Sequence, residues 1–185
     1  PALTLQYTTM GTGIGWEWGA WAYPSTSPEK VDFKASSILP DATVAGLFGP
    51  GYNLFSSGTA AAIVKYSGNN YLVSGPCDIS VTIPSGTPPG NWTVSVPSPL
   101  TDGAGTSFNL NISGTVNDAG VFSGTLPYIM NSLTVAGTPF FTADMTGSSA
   151  AANLIGSGTP SGIIGNFNIT FGSGAAVVQG GFGGN

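Results

Sequence analysis

Three tryptophans, Trp16, Trp18 and Trp21, form the most distinctive group of specialised side chains in this sequence. Indole rings stack on sugars and pack against partner proteins, because each combines a large apolar face with one N–H donor. Successive side chains of a strand point to opposite faces, so Trp16 and Trp18 should share one face while Glu17 and Trp21 occupy the other. Two interpretations follow: a platform that binds a glycan or small ligand, or core aromatics packed against a neighbouring element.

Groups that could perform catalysis are scarce. The chain has no histidine, which excludes Ser-His-Asp and Cys-His catalysis and histidine-ligated metals. The single cysteine, Cys77, cannot form an internal disulfide and is predicted to be a small buried hydrophobe. Two carboxylates could hydrolyse a glycosidic bond, and the candidates are Glu17, Glu29, Asp32 and Asp41. Acids in this number are expected on any solvated surface, so the sequence predicts a non-enzyme with no cofactor and no metal.

Charge is sparse throughout the chain. Three lysines and eight acids give a net charge of −5, and charged residues make up 6% against about 25% in ordinary globular proteins. So few cations cannot neutralise the phosphates of a nucleic acid, and no apolar run reaches the ~20 residues of a membrane-spanning helix. A polar but uncharged surface is more usual outside the cell, so we expect an extracellular or cell-surface protein with no nucleic-acid partner and no membrane span.

Apolar and polar residues alternate over most of the chain, which is the period of a β-strand. The 29 glycines and 14 prolines leave little room for helices; Ser148–Leu154 is the one stretch where a short helix is expected. Turn sequences separate the alternating segments. The pattern predicts an all-β fold, a single antiparallel β-barrel or β-sandwich domain over residues 1–185. The predicted strands include residues 60–66, 71–83, 92–96, 108–113, 163–171 and 175–182.

The first ten residues form an alternating segment that is followed by Gly11-Thr12-Gly13. Residues 1–10 could pair within their own sheet as an edge strand, or act as a donor strand that completes a neighbouring copy. Charged side chains usually prevent a strand edge from pairing with another molecule. The low charge of this chain leaves its strand edges without that protection. The sequence leaves both arrangements open.

Three N-glycosylation sequons are present, beginning at Asn91, Asn111 and Asn168. Each asparagine lies on the polar side or at the end of a predicted strand, where an attached glycan would point to solvent. A chain this rich in Asn, Ser and Thr can contain two or three such triplets by chance. These three residues are therefore candidate modification sites, and an intact mass equal to that of the bare chain would exclude their occupancy.

Two stretches resemble known bacterial surface domains. Residues 16–21, Trp-Glu-Trp-Gly-Ala-Trp, resemble the aromatic strand of FecR-associated surface domains. Residues 141–147 and 162–167 resemble the closing strands of transferrin-binding-protein-type β-barrels, in which a Gly-x-x-Gly-x-Phe strand follows a short loop or helix. The resemblance implies an eight-stranded or similar surface-exposed barrel, often carried by lipoproteins or adhesins. The chain lacks the charged loop residues of that pattern, so the resemblance assigns no binding residue.

The leading functional hypothesis is a secreted, non-enzymatic structural protein of the cell surface that assembles with copies of itself into a filament or matrix. Assembly would cover backbone edges and apolar side chains that a monomer leaves exposed. The alternative is a surface-exposed binding module that holds a glycan or small ligand with loops or with Trp16, Trp18 and Trp21. A glycoside-active enzyme is a third possibility, and it depends only on the acidic residues.

Overall fold

The computed structural model describes residues 2–127, 131–140 and 145–185, which form an all-β protein as the alternation predicts. Most predicted strand segments lie within or mostly within an observed strand. Residues 108–113 are instead divided between two short strands, and the predicted N-terminal strand begins at Gln6 and continues through Gly13. The strands of the described residues are β1 Gln6–Gly13, β2 Trp16–Ala22, β3 Lys30–Ala35, β4 Tyr52–Tyr66, β5 Asn69–Ile83, β6 Gly90–Ser95, β7 Leu100–Thr101, β8 Ser107–Asn109, β9 Asn111–Val116, β10 Phe122–Thr125, β11 Ser132–Val135, β12 Thr138–Phe140, β13 Met145–Ile155, β14 Gly162–Phe171 and β15 Ala176–Gly184.

Eight antiparallel strands close into a barrel in the order β4-β5-β6-β9-β10-β13-β14-β15, with β15 pairing back onto β4. The long β4–β5 hairpin turns at Ser67-Gly68, where both residues have positive φ (49° and 77°), as a two-residue type I′ turn requires. The C-terminal part of β5 pairs with β6 and closes the ring. The fold is therefore a barrel, with β7, β8, β11 and β12 branching from the other end of β5.

Large apolar side chains fill the barrel interior. Trp92 lies 5.9 Å from Phe182, and Phe108 lies 6.2 Å from Phe167, measured between ring centroids. Gly114 makes room for one of these rings, because a Cβ at that position would collide with the indole of Trp92. The interior is a packed core, so a ligand site has to be sought on the outside of the barrel.

The prediction of a short helix at Ser148–Leu154 is wrong. This segment belongs to β13 and pairs with β14 along its length, with Ala150 and Leu154 buried while Ser149 is exposed. Alanine favours helices by only a fraction of a kilocalorie per residue, and burial in a sheet outweighs that preference. The described helical residues are instead α1, Asp41–Ala45, with one turn of 3-10 helix after it, and a second 3-10 turn at Gly172–Gly174. No helix in the described part of the chain is long and apolar enough to cross a membrane.

A separate three-stranded sheet, in the order β1-β2-β3, covers part of the outer wall of the barrel. A second core lies between the two layers. The sheet contributes Trp16, Trp18 and Val31, and the barrel contributes Ile63 and Ile164. The N-terminal segment is seated in this sheet, since β1 pairs with β2 through seven residue pairs with one bulge at Met10. It is an edge strand of its own sheet, as one of the two predicted arrangements requires.

Candidate binding surface

Two of the three tryptophans nominated from the sequence, Trp16 and Trp18, face the barrel and are 8% and 5% exposed. Both rings stack on Phe33 of β3, with centroids 6.0 and 5.8 Å away. The Trp16 indole N–H also donates a hydrogen bond to Oδ1 of Asn185 at 2.6 Å. These two rings are largely enclosed in the second core and hold the sheet on the barrel. Trp16 also lines part of a surface cleft.

Glycines of β15 receive these aromatic rings. A Cβ at Gly183 would lie 2.7 Å from the Trp16 ring, and a Cβ at Gly181 would lie 2.6 Å from the Phe33 ring. The glycine-rich stretch is visible in the sequence as Gly180-Gly181-Phe182-Gly183-Gly184. The sequence does not show which element packs against these glycines. Sequence reasoning therefore missed β15 as the strand that receives the tryptophans.

Trp21 lies on the opposite face of β2, as strand alternation predicts, and it is half-buried. Its indole N–H donates a hydrogen bond to Oδ2 of Asp32 on β3 at 2.6 Å. The ring of Tyr7 on β1 packs against it at 5.2 Å between centroids, tilted by 50°. Partners on both neighbouring strands thus fix the orientation of Trp21 and leave part of its ring accessible to solvent.

Lys34 completes this arrangement. Its Nζ lies 3.6 Å from the centroid of the Tyr7 ring and 5.3 Å from that of Trp21, which is cation–π geometry. The Tyr7 hydroxyl donates a hydrogen bond to Oε1 of Glu17 at 3.3 Å. We call the surface formed by Tyr7, Glu17, Trp21, Asp32 and Lys34 the aromatic–charged face.

Charge is concentrated around this face. Five of the eleven charged residues of the chain lie between Glu17 and Lys34, and Lys30 pairs with Asp32 at 3.4 Å between Nζ and Oδ1. Both signs are interspersed, so the face offers hydrogen-bond donors and acceptors without a strong field of one sign. Such a surface suits a neutral, hydroxyl-rich ligand better than an ion.

A cleft of about 410 Å³ adjoins the aromatic–charged face and shares Glu17 and Lys34 with it. The cleft runs beside the β1–β2 turn, where Thr12 and Ser36 add hydroxyl groups to its lining. Its volume is within the range of small-ligand sites, which is about 300–1,000 Å³. Face and cleft together form a continuous candidate binding surface.

Of the other predicted acids, Glu29 lines a second cleft together with Asp32, between β3 and the barrel wall, whereas Asp41 does not line that cleft or the one that contains Glu17. Glu29 precedes β3, and Asp41 begins α1. Within residues 2–127, 131–140 and 145–185, no group of three or more Cys, Asp or Glu side chains could hold a metal ion. Both Asp32 and Glu17 are engaged by their neighbours, Asp32 by Trp21 and Glu17 by Tyr7.

Two titratable groups are perturbed in ways that bear on chemistry. Burial raises the pKa of Tyr7, and the adjacent Glu17 carboxylate raises it further. Burial also raises the pKa of the Cys77 thiol to about 12, with a smaller contribution from the charge of Asp78. The Cys77 side chain is 1% exposed in the barrel core, so it is protonated and inaccessible at neutral pH and cannot act as a nucleophile.

The three sequon asparagines lie on barrel strands with different accessibility. Asn91 on β6 is exposed, whereas Asn111 on β9 and Asn168 on β14 are half-buried. The backbone N–H of Asn111 donates a hydrogen bond to the side chain of Asn131. Of the three candidate modification sites, Asn91 is therefore the one with the most open side chain.

Neither a protein-family model nor a curated protein matches this chain. The resemblance to FecR-associated and transferrin-binding-protein-type domains thus remains a hypothesis. Residues 141–144 of the quoted motif lie outside the described residues. Residues 162–167, the Gly-x-x-Gly-x-Phe part of it, form the first half of β14 in the barrel wall.

Proposed function

We propose that the protein is a non-enzymatic, extracellular β-barrel module that binds a neutral glycan on the aromatic–charged face. The observation that carries this proposal is the orientation of Trp21, which Asp32 and Tyr7 hold at the solvent-accessible surface of the three-stranded sheet. A ring that is already fixed loses little freedom when a ligand binds, so more of the contact energy contributes to affinity.

The chemistry of a sugar matches the groups that surround Trp21. A sugar ring has apolar C–H faces that pack on aromatic rings, and hydroxyl groups that both donate and accept hydrogen bonds. The carboxylates of Glu17 and Asp32 can accept from those hydroxyls, and the ammonium group of Lys34 can donate to them. The adjoining cleft of about 410 Å³ has room for a further sugar residue. The low overall charge of the chain supports the extracellular location.

Isothermal titration of the protein with a panel of neutral oligosaccharides tests this proposal. We expect Trp21→Ala to weaken binding of the best oligosaccharide about fivefold to tenfold, because one aromatic contact is worth about 1–1.5 kcal/mol. Phe55→Ala is the matched control, since Phe55 is another accessible aromatic residue, 77% exposed on the barrel wall. The proposal fails if no oligosaccharide binds, or if the two variants bind as well as each other.

The second candidate is the structural subunit that assembles with copies of itself. The observation in its favour is β1, an edge strand whose eight residues carry no charge. The pairing of β1 with its own β2 supports a contact between edges and not the exchange of an N-terminal donor strand. Negative-stain microscopy of native material tests the idea: filaments or sheets would support it, and a monomer at high concentration would contradict it.

A further inference from the structure

Within the described residues, three strands lie at the end of a sheet, and they differ in how well they are protected against another strand. The first six residues of β4, which pair with β5 alone, form a shorter free edge. β3 carries three charged side chains, Lys30, Asp32 and Lys34. β12 has only three residues, and one of them is Pro139. Charge, shortness, proline and β-bulges are devices by which proteins block pairing at sheet edges. β1 has eight residues with neither charge nor proline, and a bulge at Met10 is its one irregularity.

Exposed apolar side chains are concentrated at the same place. Seven large hydrophobic residues of the described chain are exposed, and four of them belong to β1 or to the residues next to it. A polar, weakly charged protein gains most by covering apolar groups that stand together. The four are Leu3, Leu5, Met10 and Ile14.

We propose that β1 pairs in antiparallel fashion with β1 of a second copy about a two-fold axis, so that two three-stranded sheets join into one of six strands. In the register centred on the strand, Thr9 lies opposite Met10 of the partner copy. The same register brings Leu5, just before β1, near Ile14 of the other copy, which lies in the β1–β2 turn, at both ends of the contact. The strand is thus complementary to itself, as a two-fold interface requires.

Charge and space both permit this contact. Each copy has a net charge of −5, which opposes association at most surfaces, but the β1 edge brings no charged side chain of one copy opposite another. The buried side chains beneath the sheet come from β2 and β3, among them Trp18 and Val31. The barrel therefore lies under the part of the sheet away from β1, and a second copy can approach the edge.

The symmetry of the contact has two consequences. A two-fold contact uses the same edge on both copies and closes at a dimer, so it does not by itself build a filament. Antiparallel strands related by this axis keep corresponding faces on the same side of the joined sheet. The two aromatic–charged faces would lie side by side, and a ligand long enough to span them would bind with the added strength of bivalency.

Sedimentation velocity over a range of protein concentrations is the first test. We expect a reversible monomer–dimer equilibrium, which Met10→Lys weakens about tenfold or more because it places charge on the edge of both copies. Val121→Lys is the matched control: Val121 is 41% exposed against 49% for Met10, it lies outside the edge, and the substitution changes net charge equally. A monomer at every concentration, or an equal effect of both substitutions, would overturn the inference.

Oxidative cross-linking tests the register independently of glycan binding. The double variant Leu5→Cys/Ile14→Cys should form a covalent dimer on mild oxidation, whereas each single variant should not. The eight residues of β1 lie between the two positions and separate them by roughly 25 Å, too far for a disulfide within one copy. Cys77 is buried with its pKa raised to about 12, so it does not compete. A double variant that stays monomeric under oxidation contradicts the proposed register even if glycan binding is intact.

Discussion

At the residue scale, Gly19 allows the aromatic–charged face to form. It sits in the middle of β2, and a Cβ there would collide with the backbone oxygen of Thr8 and lie 2.6 Å from the Tyr7 ring. Because this position has no side chain, the Tyr7 ring can lie across β2 and reach both Trp21 and the ammonium group of Lys34. Any larger residue at position 19 would displace Tyr7 from both contacts.

Cys77 is predicted to make the folded state sensitive to alkaline pH. Its folded pKa of about 12 lies above the ordinary value of 9.0, so the unfolded chain releases the thiol proton first. This contribution to stability is complete below pH 9 and is lost as pH rises toward about 12. Urea unfolding of the wild type should therefore show a steeper fall in the free energy of unfolding over this range than Cys77→Ala.

The comparison of slopes isolates the thiol from other groups that titrate in the same range. Burial raises the pKa of Tyr52 as well as that of Tyr7, but both tyrosines are present in wild type and variant. Equal slopes in the two proteins would show that Cys77 does not contribute. Alkylation at neutral pH is a second measurement: the thiol should react only after the chain unfolds.

At the scale of elements, the three-stranded sheet is held on the barrel by aromatic rings that fit over glycines. Trp16, Trp18 and Phe33 form a stacked group, and Gly181 and Gly183 of β15 let that group approach the barrel backbone. The close approach increases the number of dispersion contacts that each ring makes. Large aromatic rings therefore pack well on a backbone that carries no side chains. The packing explains why β2 and β15 have such different compositions.

Trp18→Ala should lower stability more than Trp21→Ala does, whereas Trp21→Ala should weaken glycan binding more. Trp18 is buried in the second core, so its truncation should lower the free energy of unfolding by about 3–5 kcal/mol. Trp21 is half-buried on the outer face, so its truncation should cost roughly 1 kcal/mol. Urea denaturation of both variants measures this difference, and equal costs would contradict the assignment of Trp21 to a binding surface.

Elements with regular alternation were predictable from the sequence. Residues 166–171 alternate without interruption, and Ile163–Phe171 forms β14 almost within the predicted limits. The beginning of β4 was missed because Ser56, Ser57 and Gly58 carry no apolar pattern. The incorrect prediction of a helix at Ser148–Leu154 has the same origin. A run of small residues is compatible with both the helical and the strand period, and only the partner strand decides between them.

At the scale of the whole molecule, Asn185 joins the two layers. Its side-chain amide accepts a hydrogen bond from the Ile14 backbone N–H at 2.8 Å and donates to the Ile14 carbonyl at 2.7 Å. The same amide accepts from Trp16 and donates to the carbonyl of Ser161 in the loop before β14. The backbone carbonyl of Asn185 accepts from the Ser56 hydroxyl of β4 at 2.8 Å. One residue thus connects the β1–β2 turn to the barrel.

Asn185→Ala should loosen the three-stranded sheet while leaving the barrel intact. Loss of the amide removes the partners of Ile14 and Trp16, which should cost about 1–3 kcal/mol locally. Hydrogen exchange should accelerate at the Ile14 amide and along β1, with β4 amides unchanged. Asn91→Ala, which removes an exposed amide from the barrel wall, is the control, and unaltered exchange in Asn185→Ala would show that the link is dispensable.

The all-β class, most strand positions and the opposite orientations of Trp18 and Trp21 follow from the sequence alone. These features depend on the period of side chains along one strand, which is a local property. Barrel closure through β5 and β6, the docking of the sheet on β15 and the accessibility of Trp21 depend on residues far apart in the chain. Pairing between distant strands decides them, and no periodicity within a single strand records which partner it will meet.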